Sequence, residues 1–187
     1  MPSSYSGDLQ LELMVTGEKA GLWGDITNTN LNIVQQAIAG YEAVSIAGGA
    51  QTTALLFSNG IVSNGKNAVI KLTGTITGNQ IVTIPDGIEK NYTIVNGTTG
   101  AFTVEFKTVS GTGPTFATAD KGTRLFYSDG TNIVDVNAAF TTINQYTLPA
   151  SDGTSGQAIL TDGSGTLSFG EAGVSTGKAI AMAIVFG

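Results

Sequence analysis

The apolar residues near the amino terminus are spaced as in a strand. Leucine and valine occupy every second position from Leu9 through Leu11 and Leu13 to Val15, which is the period of a β-strand with one buried face. Residues 17–23 follow as a turn region that ends in the only tryptophan, Trp23. We expect this indole to pin the next element, a helix, to the first strand.

The helix is predicted by a second spacing. Leu31, Val34, Ile38 and Tyr41 follow one another at intervals of three, four and three residues, which is the seam of a heptad repeat. Residues 27–30 supply capping side chains before this seam. Two interpretations stay open: the helix packs on its own domain, or it contacts other subunits around a symmetry axis.

From residue 44 to residue 136 the chain alternates short apolar or threonine-rich runs with turn dipeptides. The runs are 54–57, 68–72, 80–84, 92–95, 102–106, 124–127 and 133–136. The dipeptides are Asn59-Gly60, Asn64-Gly65, Asp86-Gly87, Asn96-Gly97 and Asp129-Gly130. Because Asn-Gly and Asp-Gly favour tight hairpin turns, we predict an antiparallel β-sandwich or jelly-roll-like domain over residues 44–138.

Residues 139–187 form a third zone, after an amino-terminal segment 1–43 and the central domain. A degenerate motif of Ser or Thr, Asp, Gly, then Thr or Ser occurs at 128–131, 151–154 and 161–164, each time before a short apolar run. We therefore predict a carboxyl-terminal β-hairpin extension. Its few apolar groups cannot bury much surface alone, so it needs the main domain or other subunits as a partner.

The chain ends in an apolar tail. Its large side chains are Ile180, Met182, Ile184 and Phe186. Exposed apolar surface costs roughly 25 cal/mol per Å², so we expect another subunit to cover this tail, either as a buried strand or as a short axial helix. Eight residues cannot span a bilayer as a helix, which needs about twenty, and residues 1–10 do not have the pattern of a signal peptide.

Charge and composition narrow the classes of function. Only 12% of the residues are charged, against roughly 25% in an ordinary soluble domain, which suits lasting contact with other protein chains. The net charge is -6 and no basic run occurs, so we expect no nucleic-acid binding. The chain has no Cys and no His, which excludes disulfides, thiolate zinc sites and imidazole acid–base chemistry.

No catalytic, cofactor or metal site is predicted from the remaining residues. Glycosidases need two carboxylates about 5 to 10 Å apart, but Asp86, Asp129, Asp152 and Asp162 each precede Gly, where a carboxylate usually accepts local backbone hydrogen bonds. The segment 129–132 lacks the terminal Glu of a calcium loop. We interpret the chain as non-enzymatic.

A few aromatic residues are candidates for a sugar-stacking surface. They are Trp23, Tyr92, Phe126 and Tyr127. Phe126 and Tyr127 are neighbours on one strand and point to opposite faces, so we expect at least one of them in the core.

Several segments of the chain are distinctive, namely 11–19 (LELMVTGEK), 23–24, 27–32 and 36–41 near the amino terminus, and 67–74, 92–100 and 128–132 in the central domain. The first set resembles the opening, and the second set the β-domain, of tail-fibre-like virion proteins of bacteriophages, notably marine ones. Residues 148–157 and 160–163 resemble a repeat widespread in phage fibres. The resemblance implies a virion component, commonly a homotrimer, that joins the particle at one end and meets a host surface with the other.

Together these features predict a structural protein of a phage virion. We expect it to be assembled in the host cytoplasm as a homotrimer that docks on tail or capsid proteins and contributes to attachment, with a host surface glycan as a further partner. The expected docking and subunit contacts are Leu9, Leu11, Leu13, Trp23, Leu31, Val34, Ile38 and Tyr41. A capsid-mounted fibre or adaptor is an alternative placement, and a carbohydrate-binding or weakly hydrolytic receptor module is the alternative function.

Overall fold

The structure, a computed structural model, describes residues 2–136, 142–143, 146–171, 173 and 184. Its contacts divide the chain into two compact units, Met1–Ala138 and Ala139–Gly187. The predicted mainly β class is confirmed, with an amino-terminal helix and a carboxyl-terminal hairpin. Residues 1–43 belong to the first unit together with the central strands.

The strands and the helix are named here in chain order. In the described part of the first unit they are β1 (Ser4–Tyr5), β2 (Glu12–Leu13), α1 (Trp23–Ala39), β3 (Tyr41–Ser45), β4 (Gln51–Ala54), β5 (Val69–Thr75), β6 (Gln80–Ile84), β7 (Glu89–Thr99), β8 (Val104–Thr108), β9 (Thr115–Phe116), β10 (Thr123–Asp129) and β11 (Ile133–Asp135). In the described part of the second unit they are β12 (Thr142–Ile143), β13 (Tyr146–Thr147), β14 (Gln157–Thr161) and β15 (Leu167–Glu171).

The first unit is a sandwich-like pair of sheets that the chain visits in turn. Strands β3, β5 and β7 pair in parallel in one sheet, and β4, β6 and β8 pair in parallel in the other. From β3 to β8 the chain therefore crosses to the opposite sheet between one strand and the next, as in the coils of a β-solenoid. Val69 lies beside Thr93 and Gln80 beside Val104, so the second and third coils are offset by 24 residues. The first and second coils are offset by 28 and 29 residues, because Tyr41 lies beside Val69 and Gln51 beside Gln80.

The two ends of this coil differ. At one end β9 pairs antiparallel with β8, while β10 and β11 add antiparallel strands beside β7. At the other end β3 and β4 are the edge strands of their sheets. The antiparallel pairing that we predicted for the whole domain therefore holds for β9, β10 and β11, but the six strands of the coils pair in parallel.

The turn dipeptides show why the prediction of antiparallel pairing was wrong for the coils. Of the five, only Asp129-Gly130 closes a hairpin, between β10 and β11. Asn96-Gly97 lies inside β7, Asn64-Gly65 lies in the 3-10 turn Asn64–Lys66, and Asp86-Gly87 connects strands of different sheets. A dipeptide favours a local turn, but the stacking of one apolar run on another decides which strands pair.

One hydrophobic core lies between the two sheets. It is made of residues from both sheets and includes four fully buried side chains, Ile70, Leu72, Val82 and Ile84. The ring of Phe106 stacks on Phe126 with centroids 5.8 Å apart. Phe126 is buried and Tyr127 is exposed, which confirms the expectation that one of the two lies in the core.

Candidate functional site

Helix α1 is held to the first unit by one face. Ile33 is fully buried on this face. Three residues before it, the Asn30 Oδ1 accepts the Glu12 N–H at 3.0 Å and the Asn30 Nδ2 donates to the Glu12 carbonyl at 2.8 Å. Three residues after it, the Gln36 Oε1 accepts the N–H of Ser63 at 3.3 Å. These bonds fix the rotation of the helix about its axis, because Asn30, Ile33 and Gln36 share one face.

The opposite face of α1 carries an uncovered apolar seam. Leu31 is 61% exposed and Ile38 is 76% exposed. At about 100° per residue they lie about 160° and 140° from Ile33, on the far side of the helix. With half-buried Val34 they form what we call the helix seam. The only charged residue of α1 is Asp25, in its first turn, so the helix seam has no charge on its own helix close to it.

The bounds of α1 differ from the predicted ones. The helix begins at Trp23 and ends at Ala39, so the expected caps lie inside it. Thr27 and Thr29 donate their hydroxyls to the carbonyls of Trp23 and Asp25, one turn earlier, a bond that satisfies a hydroxyl within a helix. Tyr41, predicted as the last seam residue, is the first residue of β3 and is 57% exposed.

The prediction that Trp23 pins the helix to the first strand is wrong. Its side chain is 65% exposed, and its neighbour Leu22 is 54% exposed. Because the helix begins at Trp23, the indole projects from its first turn. The residue of the helix that bonds β2 is Asn30, two turns further along. Polar tethering to backbone therefore replaces the aromatic contact that we expected.

The amino-terminal leucines contribute less to an open surface than the helix does. Leu9 and Leu11 are half-buried, while Leu13 in β2 is 48% exposed. The predicted strand from Leu9 to Val15 is reduced to the two residues of β2, paired with β1. The structure therefore groups Leu31, Val34 and Ile38 on one helix face.

Two lysines are buried or half-buried, and their contacts indicate structural roles. Lys66 is fully buried, and its Nζ donates to the carbonyls of Ser58 at 2.6 Å and Ile61 at 2.7 Å. The Lys90 Nζ donates to the Asn67 carbonyl and lies 3.9 Å from the centroid of the Tyr92 ring. Desolvation lowers the pKa of Lys66 and lowers the pKa of Lys90 to about 8.

The acidic residues before glycine accept backbone hydrogen bonds. Asp129 Oδ1 accepts the N–H groups of Asn132 and Thr131, which hold the pKa of Asp129 below its ordinary value. Asp162 Oδ1 accepts the N–H groups of Ser164 and Thr166, with the same effect on its pKa.

The two remaining carboxylates bond differently from each other. Asp152 bonds the adjacent Gly153 N–H. Asp86 instead accepts the N–H and the hydroxyl of Ser110, which is distant in sequence. Within the described ranges there is no group of three or more acidic residues that could hold a metal ion.

A shallow cleft lies in the second unit. Its volume is about 410 Å³, and it is lined by Tyr146, Thr161, Gly163, Ser164 and Gly165. None of these described lining residues is charged, and Tyr146 is 39% exposed. An aromatic ring beside hydroxyls and backbone polar groups can bind a neutral polar molecule.

The predicted contacts of the carboxyl-terminal tail fall almost wholly outside the described residues. Ile180, Met182 and Phe186 are not among them. Ile184 is described and is 77% exposed.

The comparisons with known proteins add no relative. No protein-family model, no curated protein and no solved structure matches the chain. Among the residues that the structure describes, no helix is long and apolar enough to cross a membrane.

Two features of the first unit were missed in the sequence. The 24-residue offset of the coils relates residues 69–75 to 93–99 and residues 80–84 to 104–108, and a search for internal repeats of 20 to 50 residues could have detected it. The role of Asn30 carries no such signal, because its partner is the backbone of Glu12, 18 residues away.

Proposed function

We propose that this chain is a non-enzymatic structural component of a phage virion, a tail-fibre-like protein that assembles as a homo-oligomer. A homotrimer is the expected state. It docks on other virion proteins of tail or capsid and contributes to host attachment. The site of assembly is the host cytoplasm, and the site of action is the virion.

The helix seam is the observation that carries this proposal. The bonds of Asn30 and Gln36 hold α1 firmly in the orientation that leaves Leu31 and Ile38 in solvent. Such residues are normally covered in the working state of a protein when they form a contiguous stripe. A heptad interval and uncharged flanking amides suit contact with the same helix of another copy, because no like charges meet at the axis.

The resemblance of residues 11–41 to the opening of phage fibre proteins supports the docking role. This segment contains the helix seam and the exposed Trp23, and both lie in the first unit. We therefore assign docking on the particle to the same end of the chain as the subunit contact. Labelled antibody against this chain should decorate purified particles in electron micrographs, and particles without decoration would contradict the placement.

The oligomer can be tested by light scattering on the full chain. We expect the native protein to scatter as a multiple of the mass of one chain. The double variant Leu31→Ser and Ile38→Ser should shift the population toward single chains by at least about tenfold in the association constant, because each apolar side chain contributes more than about 1 kcal/mol when buried.

A matched control keeps this test specific. Asn32→Ser changes an exposed residue of the same helix outside the helix seam, and should leave the mass unchanged. A native chain that scatters as a monomer at high concentration would remove the proposal's main support.

Recognition of a neutral glycan is a second candidate, favoured by the cleft beside Tyr146. The hydroxyls of Thr161 and Ser164 and the ring of Tyr146 are the groups that would contact a sugar. Incubation with purified host glycans separates the candidates. If the glycan binds without turnover and Tyr146→Ala abolishes the binding, recognition lies in the second unit. Turnover of the glycan would contradict a purely structural role.

A further inference from the structure

The β14–β15 hairpin exposes apolar side chains on both of its faces. Ile159 and Leu160 are consecutive in β14, so they point to opposite faces. Ile159 is 57% exposed and Leu160 is 43% exposed. A hairpin that packed one face on its own unit would cover one of these residues and leave the other face polar, so this pattern indicates partners on both faces.

The two faces differ in size. Ile159 lies directly opposite Phe169, and Thr161 lies opposite Leu167, so we call Ile159, Leu167 and Phe169 the bulky face. Residues Ala158, Ser168 and Gly170 lie on the other face, which we call the small face. Leu160 also points to this side, and its Cδ1 lies 2.5 Å from the place that a Cβ on Gly170 would occupy. The Leu160 side chain therefore extends across Gly170, and it projects less from the small face than a leucine pointing straight outward would.

The hairpin is well formed although it is poorly covered. All five residues of β14 pair with β15, and Asp162 closes the turn by accepting the N–H groups of Ser164 and Thr166 at 2.7 and 3.0 Å. Yet no described residue of the second unit is buried. Its described neighbours in the same chain are few: Gly153 lies against the half-buried Phe169 ring, and the Thr147 N–H donates to the Gly165 carbonyl at 2.7 Å. A two-stranded hairpin is marginally stable by itself, and these contacts leave Ile159 and Leu160 exposed.

We infer that the bulky face of one copy packs on the small face of the next copy, so that the hairpins close into a ring around the oligomer axis. This inference rests on the proposed homo-oligomer and names its second contact. Unlike faces that fit each other make a heterologous interface, and a heterologous interface that closes gives cyclic symmetry. Another copy fits better than an unrelated protein, because the same hairpin supplies both complementary faces and the strands carry one charge, Glu171 at the open end.

Cysteine cross-linking tests the ring, since the native chain has no Cys. The double variant Ile159→Cys and Ser168→Cys places one thiol on each face of the full chain. Under mild oxidation it should form disulfides between copies, giving covalent multimers on a non-reducing gel. The two thiols cannot join within one chain, because they lie on opposite faces of the hairpin. Each single variant should remain uncross-linked, because like faces do not meet.

The reduced single variants provide a second readout. Both thiols should react with a maleimide at least about tenfold more slowly than the thiol of Ser155→Cys, which lies at an exposed turn position. The reason is that a thiol covered by an interface reacts only after the interface opens locally. Cross-linking of Ile159→Cys with itself would overturn the inference, since it requires like faces to meet. Fast labelling or absent cross-links in a protein that still scatters as an oligomer would overturn the ring alone, whereas a monomeric chain would overturn the proposed function with it.

Discussion

The two units of this chain use similar strands in opposite ways. In the first unit, fifteen residues form one buried cluster between two sheets, from Ile46 to Ile133. In the described part of the second unit, no residue is buried, and Ile159 and Leu160 remain exposed. Both regions alternate short apolar runs with glycine turns. The difference teaches that stacked coils can cover each other within one chain, whereas an isolated hairpin leaves its apolar groups exposed.

The reason is geometric. In the coils, apolar residues of one strand lie beside apolar residues of the next, as Leu72 lies beside Val44 and Ile94 beside Ile70. Every added coil therefore covers the one before it. A hairpin has two strands and two faces, and its apolar groups have no third strand to meet. The predictions below test this contrast by placing equivalent changes in the two kinds of surroundings.

The largest effect is expected from a truncated core ring. Phe106→Ala removes a ring in contact with Tyr92 and Phe126, and should lower the free energy of unfolding by about 3–5 kcal/mol. Phe169→Ala in the second unit should leave that transition almost unchanged and should weaken the oligomer instead. Urea unfolding followed by circular dichroism measures the first quantity. Equal losses in the two variants would break the contrast between the units.

The next effect concerns a glycine at a coil corner. Gly100 has a φ of 103°, and a Cβ there would lie 2.2 Å from the Ile76 carbonyl oxygen. Gly100→Ala should therefore destabilise the first unit by more than about 2 kcal/mol, from backbone strain and collision together. Gly87 has a φ of 79°, and a Cβ there would have no atom within 4 Å. Gly87→Ala therefore introduces backbone strain without a collision and should lower the free energy of unfolding by about 1–2 kcal/mol. Thermal unfolding of both variants gives the difference, and identical melting temperatures would show that the coils are not tightly stacked at this corner.

The smallest effect is a dependence of stability on pH. Burial lowers the pKa of Lys90 to about 8 in the folded state, from 10.5. Between these values the unfolded chain binds more protons than the folded one, so stability should rise by about 1–2 kcal/mol from pH 8 to pH 10. Above pH 10 the gain should reverse, because burial raises the pKa of Tyr92 and only the unfolded tyrosine ionises there.

A variant isolates the lysine. Lys90→Met should reduce the rise between pH 8 and pH 10 and leave the contribution of Lys66, whose pKa burial also lowers. Lys90→Arg, which keeps its charge, should reduce the rise in the same way. Urea unfolding at a series of pH values checks both. A rise of undiminished size in Lys90→Met would assign it to another group.

Some of the fold and of the candidate site was predictable from particular residues. The interval of Leu31, Val34 and Ile38 predicted a helix with an apolar stripe, and the Asp162-Gly163 pair predicted the turn of the β14–β15 hairpin. The place of Trp23 was not predictable, because its exposure depends on where α1 begins. The link between Asn30 and the backbone of Glu12 was not predictable either, since no spacing along the chain reveals it.

The sequence by itself determined the mainly β class, the position of the helix seam, and a chemistry without thiol or imidazole, because each follows from residue type and local period. Only the tertiary structure decided that the coil strands run parallel, since parallel and antiparallel strands share the same alternation of apolar residues. It also decided that the face of Ile33 turns inward and the face of Leu31 and Ile38 turns outward. Both faces of α1 are apolar, and the hydrogen bonds of the Asn30 and Gln36 side chains determine which face is buried.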